Sequence, residues 1–480
     1  MSKKSFLTGL FLLFSFCLEG YAQDDLRDRI DGFVTQFYEK GLFNGSVLIA
    51  VDGNVVYKNA LGFADFETGQ QLETNSAFYL ASVSKQLTCL AVMILKEQDK
   101  LNYNDKLSDF FPEFPPYADT VTVKHLMTHT SGIPDHFRLG SYKPDLTNND
   151  VLNLLVKQDT LDFEPGERYS YSNGAYVLLS MIVEKASGVP FHEFMEENVF
   201  DPLDMDNSLV YDESKPEILN RATGFNMYGE KDDYDILTTG AGGIYSTVVD
   251  LYKLDRALYS EKLVTQETLD EAFTSFELND GSKTNYGYGW GIREEDDGKI
   301  VAHSGGLNGF RTYFERHLDK KNTIALLTNK GDVFPLGAFR DGLNNILNNE
   351  LYEIPKTPIS MKVHELINES SVDAAIEEYA KLKENYFDDY DFSENQLNSL
   401  GYYLLGKNRV NSAVEILKLN VREFPDAYNT YDSLGEAYMI KTEYELAIKN
   451  YKKSLELNSD NANAVEMLKR IEKLKKGIYD

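Results

Sequence analysis

Residues 82–95 read SVSKQLTCLAVMIL, in which a serine and a lysine three positions apart precede a mostly apolar run. The run favours a buried helix, and positions three apart lie about one turn apart on the same helical face. The spacing therefore predicts that the Ser82 hydroxyl and the Lys85 ammonium are neighbours at a helix N-terminus. Because a serine hydroxyl is a poor nucleophile at its own pKa, an adjacent basic group makes Ser82 a candidate for nucleophilic catalysis.

Two further polar motifs lie downstream of this predicted helix. Tyr171-Ser172-Asn173 follows Pro165-Gly166 and precedes an apolar helical stretch, which places the motif on a loop that enters a helix. His303-Ser304-Gly305-Gly306 follows a run of strand character at Lys299 to Ala302. Each motif carries side chains suited to acid–base work or hydrogen bonding, so we expect the three motifs to meet in one site.

Strand patterns occur near both ends of the first 350 residues. Two β-branched runs in residues 46–57 flank Asp52-Gly53, the pattern of a hairpin. The later strand runs are residues 299–303, 310–317 and 323–328. Helical patterns dominate from about residue 82 to 258. This order predicts an α+β domain over residues 23–352, with one sheet built from N- and C-terminal strands, helices on its faces and a second, helical lobe.

The three motifs together resemble those of the serine β-lactamase and penicillin-binding protein superfamily. The tyrosine that opens the second motif is typical of the branch with class C β-lactamases, D-alanyl-D-alanine carboxypeptidases and related esterases. Further similarity lies in Thr128 to Gly132, Gly242 to Thr247 and Tyr286 to Gly291, so the resemblance covers residues 25–345. It implies a β-lactamase-like antiparallel sheet flanked by helices, and acyl-enzyme chemistry on a small ester, amide or peptide substrate.

The resemblance also implies a role for each motif. Ser82 would be the acylated nucleophile, and Lys85 and Tyr171 would share the general base work, with the ammonium favouring a tyrosine phenolate. The backbone N–H groups of Ser82 and Gly306 would form the oxyanion hole. Asn173 would hold Lys85. The substrate-binding residues would be Asn173, His303, Ser304 and Gly305.

His303 departs from the lysine that is typical of class C β-lactamases at this position. A lysine offers a fixed positive charge to the carboxylate of a penicillin, whereas a histidine is mostly neutral near pH 7. Histidine is familiar in the carboxypeptidase and esterase members, so we expect an esterase or D-amino-acid peptidase rather than an efficient β-lactamase. The alternative is a catalytically silent, penicillin-binding-like scaffold that binds partners through its C-terminal domain. The intact Ser82, Lys85, Tyr171 and Asn173 favour catalysis.

The first 22 residues carry the pattern of a secretory signal peptide. Lys3 and Lys4 precede an apolar run from Phe6 to Leu18, and Gly20-Tyr21-Ala22 has small residues at its ends. The apolar core is too short to span a bilayer, and no later stretch approaches the length of a membrane-spanning helix. We therefore expect a secreted or periplasmic protein whose mature chain has no transmembrane segment.

Composition narrows the range of partners and cofactors. Asp and Glu outnumber Lys and Arg by 77 to 48, and the formal charge of -29 repels phosphate backbones, which argues against nucleic acid. Two cysteines are too few for a disulfide scaffold or a four-thiolate metal site. His125 and His129 have the spacing of a zinc pair, but Leu126 stands where a zinc hydrolase needs glutamate. We expect no metal and no other cofactor.

The C-terminal part of the chain is helical and repetitive. Pro355 and Pro358 mark a linker over residues 353–360, and the pattern beyond it has a period of 34. Six positions recur one period later: Leu397, Leu400, Gly401, Leu404, Ala413 and Leu417 become Tyr431, Leu434, Gly435, Tyr438, Ala447 and Tyr451. The pattern resembles the tetratricopeptide repeat, with repeats at about 394–427 and 428–461 in an all-α domain over residues 361–480. Stacked repeats leave a concave surface, so we expect a protein or peptide partner there.

Overall fold

The computed structural model describes residues 25–140, 143, 145–211, 218–233 and 237–476. The signal-peptide pattern at residues 1–22 lies outside the described residues. The chain forms two compact units, which divide between Ile354 and Pro355. Within the described residues, no helix is both long and apolar enough to cross a membrane.

The first unit is organised around a six-stranded antiparallel sheet. The strands of this unit are β1 Gly45–Val51, β2 Asn54–Leu61, β3 Phe63–Asp65, β4 Gln70–Gln71, β5 Phe78–Tyr79, β6 Leu209–Val210, β7 Ile244–Ser246, β8 Gly291–Glu295, β9 Gly298–Leu307, β10 Phe310–His317 and β11 Asn322–Thr328. Their order in the main sheet is β2-β1-β11-β10-β9-β8. A smaller three-stranded sheet has the order β5-β7-β6.

The main sheet joins the two ends of the first unit. β1 pairs antiparallel with β11, with Gly45 opposite Thr328 and Ala50 opposite Thr323. β9 pairs with β10 from Ile300 to Leu307, whereas β8 covers β9 only from Gly298 to Ala302. The C-terminal half of β9 therefore forms a free edge of the sheet. The prediction of one sheet made from N- and C-terminal strands is confirmed, and its edge at β9 carries the third motif.

Most helices of the first unit lie in the chain segment between the N-terminal strands β1 and β2 and the C-terminal strands β8 to β11. The helices are α1 (residues 25–39), α2 Ser84–Glu97, α3 Leu107–Phe110, α4 Val123–Met127, α5 Asn148–Leu155, α6 Asn173–Ser187, α7 Phe191–Met195, α8 Val248–Ala257, α9 Gln266–Ala272 and α10 Leu336–Leu347. Every residue of α2 from Ser84 to Leu95 is buried. A helix that is apolar on all sides belongs in the core, and α2 packs there against α6. The first and second motifs thus lie on two helices in contact.

The second unit is built from helical hairpins. Its elements are the short parallel strand pair β12 Thr357–Pro358 and β13 Tyr390–Asp391, and the helices α11 Ile359–Glu369, α12 Val372–Asn385, α13 Glu394–Gly406, α14 Val410–Glu423, α15 Tyr428–Ile440, α16 Tyr444–Leu457 and α17 Ala462–Lys475. The α13–α14 hairpin is followed 34 residues later by the α15–α16 hairpin, helix start for helix start. The residues expected to form a linker, 353–360, include β12 and the beginning of α11.

Glycines at equivalent positions let the two hairpins close tightly. A Cβ placed on Gly401 of α13 would lie 2.5 Å from Cδ2 of Leu417 on α14. One placed on Gly435 of α15 would lie 3.1 Å from the ring of Tyr451 on α16. Since the first separation is shorter than side-chain carbons adopt, Gly401 is required for the close approach of its helix pair.

Candidate active site

Ser82 lies in a tight turn that leads directly into α2. The turn is a 3-10 helix over Ala81–Val83, and Ala81 adopts a left-handed backbone with φ +48. Oγ1 of Thr312 on β10 donates to the carbonyl of Leu80 at 2.6 Å, which ties the turn to the sheet. Left-handed backbone is costly for a residue with a side chain, so the surrounding contacts hold the serine in a conformation that an isolated chain would avoid.

The backbone of β9 passes directly behind this turn. A Cβ on Gly305 would lie 2.3 Å from the carbonyl oxygen of Leu80 and 3.0 Å from the amide nitrogen of Ser82. Only glycine permits that approach. Gly306, the next residue, is exposed and lines the same cavity as Ser82.

Lys85 is fully buried one turn after Ser82. Its Nζ donates to Oγ of Ser82 at 3.0 Å, to Oδ1 of Asn173 at 2.8 Å and to the carbonyl oxygen of Ala241 at 2.8 Å. Burial lowers the pKa of Lys85 to about 7, and the negative charge of Asp135 opposes that shift. Lys85 is therefore poised to exist as either an ammonium or a neutral amine near neutral pH, as a general base requires.

Asn173 is fixed from behind by a carboxylate that sequence reasoning missed. Oδ2 of Asp135 accepts hydrogen bonds from the side-chain amide of Asn173 at 2.9 Å and from its backbone N–H at 3.3 Å. Ser172 caps α6, since its Oγ accepts from the N–H of Ala175. These bonds orient the amide so that its oxygen faces Lys85. Asp135 lies on a loop with no motif around it, and no sequence signal pointed to it.

Tyr171 lines the cavity together with Ser82 and Asn173. The Nζ of Lys85 lies over the Tyr171 ring, 4.8 Å from the ring centre. Burial raises the pKa of Tyr171, and a hydrogen bond with Ser82 opposes the shift without reversing it. The expectation that the ammonium favours a phenolate is wrong, because desolvation of the phenol outweighs the influence of nearby charge. Tyr171 is a neutral phenol near pH 7.

An aromatic group packs behind Tyr171. The ring of His129 lies 4.3 Å from that of Tyr171, 4.8 Å from that of Tyr176 and 4.9 Å from that of Tyr286. Nδ1 of His129 accepts from the backbone N–H of Ser172, and burial lowers the pKa of the imidazole well below its usual value. His129 is thus a neutral packing partner of the second motif.

His303 turns its ring into the protein. Its Nδ1 donates to the carbonyl oxygen of Ser304 at 2.6 Å, which leaves Nε2 to accept from the hydroxyl of Tyr286 at 3.0 Å. Burial lowers the pKa of His303 to about 3, so the imidazole is neutral. Both ring nitrogens are engaged by the protein. In this arrangement His303 positions Tyr286 and the end of β9, rather than presenting a nitrogen to the cavity.

The cavity at Ser82 has a volume of about 350 Å³ and mostly apolar walls. Its lining residues are Tyr79, Ala81, Ser82, His136, Phe137, Lys143, Leu146, Tyr171, Asn173, Thr238, Ala241, Gly242, Gly306 and Leu307. Four sequence-predicted site residues thus share the cavity: Ser82, Tyr171, Asn173 and Gly306. Lys85 lies behind Ser82, while His303, Ser304 and Gly305 are not part of the lining.

Comparisons with known proteins agree with this arrangement. The family model described as Beta-lactamase matches residues 26–344. Penicillin-binding protein 4* of Bacillus subtilis (strain 168) is 33% identical over 347 residues, which cover 68% of this chain and 76% of that protein. Teichoic acid D-alanine hydrolase of Staphylococcus aureus (strain MRSA252) is 27% identical, over 62% of this chain and 74% of that protein. The octameric penicillin-binding protein homologue from Pyrococcus abyssi superposes with a TM-score of 0.61 and 26% identity, covering 71% of this chain and 81% of that chain.

Proposed function

The chain belongs to the β-lactamase family, and on that basis we propose that it is a serine hydrolase that acts through an acyl-enzyme on Ser82. One observation carries the proposal. The Ser82 hydroxyl lies 3.0 Å from the amine of a fully buried lysine, and the pKa of that lysine falls to about 7. A lysine with a purely structural role gains nothing from burial that lowers its pKa to about 7. A general base does gain, because it must be able to lose its proton near neutral pH.

Acylation follows from this geometry. Neutral Lys85 takes the proton of the Ser82 hydroxyl while Oγ forms a bond to the acyl carbon of the substrate. The carbonyl electron pair moves to the oxygen, which the backbone N–H groups of Ser82 and Gly306 stabilise. When the carbonyl re-forms, the bond to the leaving group breaks. The phenol of Tyr171 then protonates the leaving oxygen or nitrogen, and the Lys85 ammonium returns a proton to Tyr171.

Deacylation repeats the steps with water as the nucleophile. The neutral amine of Lys85 accepts the proton of the attacking water, and the resulting ammonium returns a proton to Oγ of Ser82 as the serine leaves. Asn173, held by Asp135, keeps the Lys85 amine aimed at Oγ throughout both half-reactions. A neutral Tyr171 suits the acid role better than the base role, so Lys85 is the principal base of this mechanism.

The substrate class follows from the charge of the site. Neutral His303 supplies no fixed cation for the carboxylate of a penicillin, and the cavity walls are mostly apolar. We therefore propose that simple esters and D-amino-acid esters or amides are better substrates than β-lactams. The relative named as a teichoic acid D-alanine hydrolase adds D-alanyl esters to the compounds worth testing.

A hydrolysis panel tests the proposal. Purified protein and its Ser82→Ala variant are assayed with p-nitrophenyl esters, D-alanyl esters, D-Ala-D-Ala peptides and nitrocefin. We expect ester turnover that is lost in the variant, with nitrocefin hydrolysed slowly. Fast nitrocefin hydrolysis would contradict the substrate class, while a wild-type protein inert to every compound and to a fluorophosphonate label would favour the silent scaffold instead.

We further propose that the protein is exported by its N-terminal signal and that the second unit consists of tetratricopeptide repeats. The 34-residue spacing of the hairpins and the small residue at Gly401 support the repeat assignment. Such a unit binds a protein or peptide partner and takes no part in the chemistry of the first unit.

A further inference from the structure

The amine of Lys85 lies over two aromatic rings, in addition to its hydrogen bonds with three acceptors. Its Nζ is 4.8 Å from the centre of the Tyr171 ring and 5.4 Å from the centre of the Tyr176 ring. Tyr176 belongs to the first turn of α6, is completely buried and takes no part in the proton transfers proposed above. The base of the site is thus in contact with an aromatic ring that the mechanism does not use.

The Tyr176 ring is held in place by three contacts. Its hydroxyl donates to the carbonyl oxygen of Met127 at 2.6 Å. Because a phenol has one proton, the thiol of Cys89, whose Sγ lies 3.4 Å from the same oxygen, donates to it. The ring of His129 packs at 4.8 Å from that of Tyr176. Cys89 follows Lys85 by one turn of α2, so the helix that carries the base also helps to fix the ring beside it.

Burial keeps most titratable groups around the amine uncharged near pH 7. The negative charge of Asp135 favours the ammonium form of Lys85. The Tyr176 phenol is neutral, because burial raises its pKa well above the usual value. Burial also lowers the pKa of each surrounding imidazole and raises that of each surrounding thiol or phenol, so these groups of the described chain are neutral as well: Cys89, His129, His136, His303, Tyr171 and Tyr286. With so few charges near the amine, contact with the face of a ring has a large influence on its protonation, since such contacts are strongest for a cation removed from water.

We propose that Tyr176 is a positioning residue for the general base: the face of its ring binds the ammonium that Lys85 becomes when Ser82 is deprotonated, and keeps Nζ against its hydrogen-bond acceptors. The inference rests on the proposed serine hydrolase function. As the proton of Ser82 moves to Nζ, the amine gains a positive charge. The negative face of the ring attracts that charge more than it attracts the neutral amine. The ring therefore favours the proton transfer, and it opposes the lowering of the Lys85 pKa by burial.

Weakening the ring face should change the pH profile in two ways. The Lys85 ammonium becomes less stable, so its pKa falls and the acid limb of kcat/KM moves to lower pH. The amine is then a weaker base, so the plateau of kcat/KM above the limb also falls. A variant in which packing alone is disturbed would lower the plateau without moving the limb.

Phenylalanine analogues at position 176 vary the ring face at nearly constant shape. Tyr176→Phe is compared with the same substitution carrying a 3-fluoro or a 3,5-difluoro ring, introduced by amber suppression. None of the three has the hydroxyl, so the bonds to Met127 and Cys89 are lost equally in all of them. Each fluorine withdraws electron density from the ring face and weakens its attraction for a cation. We expect the acid limb of ester hydrolysis to move to lower pH by about 0.3–0.5 unit across the series, and the plateau to fall about two- to threefold.

Two comparisons show whether the ring face is responsible. Tyr176→Phe should keep the limb within about 0.3 unit of wild type, whereas Tyr176→Leu, which removes the ring, should move it by about one unit. The same fluorines on Phe37, a buried ring that packs against those of Phe33 and Phe339, should leave the limb in place. A limb that stays in place across the series at position 176, or that moves to higher pH, would overturn the inference.

Titration of the Lys85 amine itself separates failure of this inference from failure of the proposed function. Protein labelled with ¹³C at lysine Cε is titrated by NMR, and the Lys85 signal is identified by its loss in Lys85→Met. We expect the midpoint of that signal to fall by about 0.3–0.5 unit from the unfluorinated to the difluorinated ring. Equal midpoints would overturn the inference whatever the activity. Midpoints that differ as expected, in proteins that neither hydrolyse esters nor label with a fluorophosphonate, would support the contact between ring and amine and overturn the hydrolase proposal.

Discussion

Replacing Asp135 with asparagine removes the negative charge that opposes the lowering of the Lys85 pKa, while the side chain keeps its shape. The carboxylate of Asp135 and the amine of Lys85 are linked through the amide of Asn173, with hydrogen bonds of 2.9 and 2.8 Å. At an effective dielectric of about 20 and a separation of roughly 7 Å, this charge stabilises the ammonium by roughly 2 kcal/mol. One pKa unit corresponds to about 1.4 kcal/mol.

Loss of the Asp135 charge should shift the pKa of Lys85 downward. In the wild type the pKa of Lys85 lies at about 7, so kcat/KM should rise as pH rises through 7 and the amine loses its proton. Without the Asp135 charge the ammonium is less stable, and its pKa falls further. We expect the acid limb of the profile to move to lower pH by about one unit, because water in the cavity screens part of the interaction.

The assay is ester hydrolysis followed at the isosbestic wavelength of p-nitrophenol, so that ionisation of the product does not distort the profile. Asp297→Asn is the matched control, because Asp297 is an exposed carboxylate that pairs with Lys320 and directly precedes β9, at the end of that strand remote from Gly306. Circular dichroism checks that both variants fold. An acid limb that stays in place, or that moves to higher pH in Asp135→Asn, would refute the assignment of Lys85 as the base.

Three further predictions concern the proton-transfer pair, the helical packing and the independence of the two units. Lys85→Ala and Tyr171→Phe should each lower kcat/KM by about 10²- to 10⁴-fold, and the double variant should be little worse than either; strictly multiplicative losses would show that the two groups act separately. Gly401→Ala should lower the free energy of unfolding of the helical unit by about 1–3 kcal/mol in urea denaturation, because its Cβ would meet Leu417. Gly406→Ala, with no atom within 4 Å of its Cβ, should be neutral or stabilising, and equal losses would contradict the packing argument. A chain ending at Ile354 should retain near-normal ester hydrolysis; a truncated protein that folds but loses most activity would show that the second unit supports the site.

Much of the fold follows from local pattern. The β-branched runs of residues 46–57 and 310–328 give strands, and their pairing completes a single sheet. β1, β10 and β11 are buried along nearly their whole length, because both faces of the sheet are covered there. The mostly apolar run after Ser82 gives a helix buried on all sides. The short strands β5 to β7 were not anticipated, since two or three residues do not establish a period and tertiary contacts alone define them.

The site was less accessible from sequence than the fold. Spacing could place Ser82 next to Lys85, because three residues of helix fix that distance. The protonation state of Tyr171 depends on how deeply its phenol is buried, a property that no local motif encodes. The orientation of His303 depends on the hydroxyl of Tyr286, which lies in the segment before β8, 17 residues earlier in the chain. Asp135 reaches Asn173 from a loop far away in sequence, so only the folded chain brings the two together.

The identity of the acylated residue tests the central claim most directly. Protein mixed briefly with a p-nitrophenyl ester is quenched in acid, digested and analysed by mass spectrometry. The account predicts that the mass of the acyl group appears on Ser82, and that Lys85→Ala protein, folded by circular dichroism, accumulates far less of it. An acyl group on another residue, or full turnover by Ser82→Ala, would contradict the account.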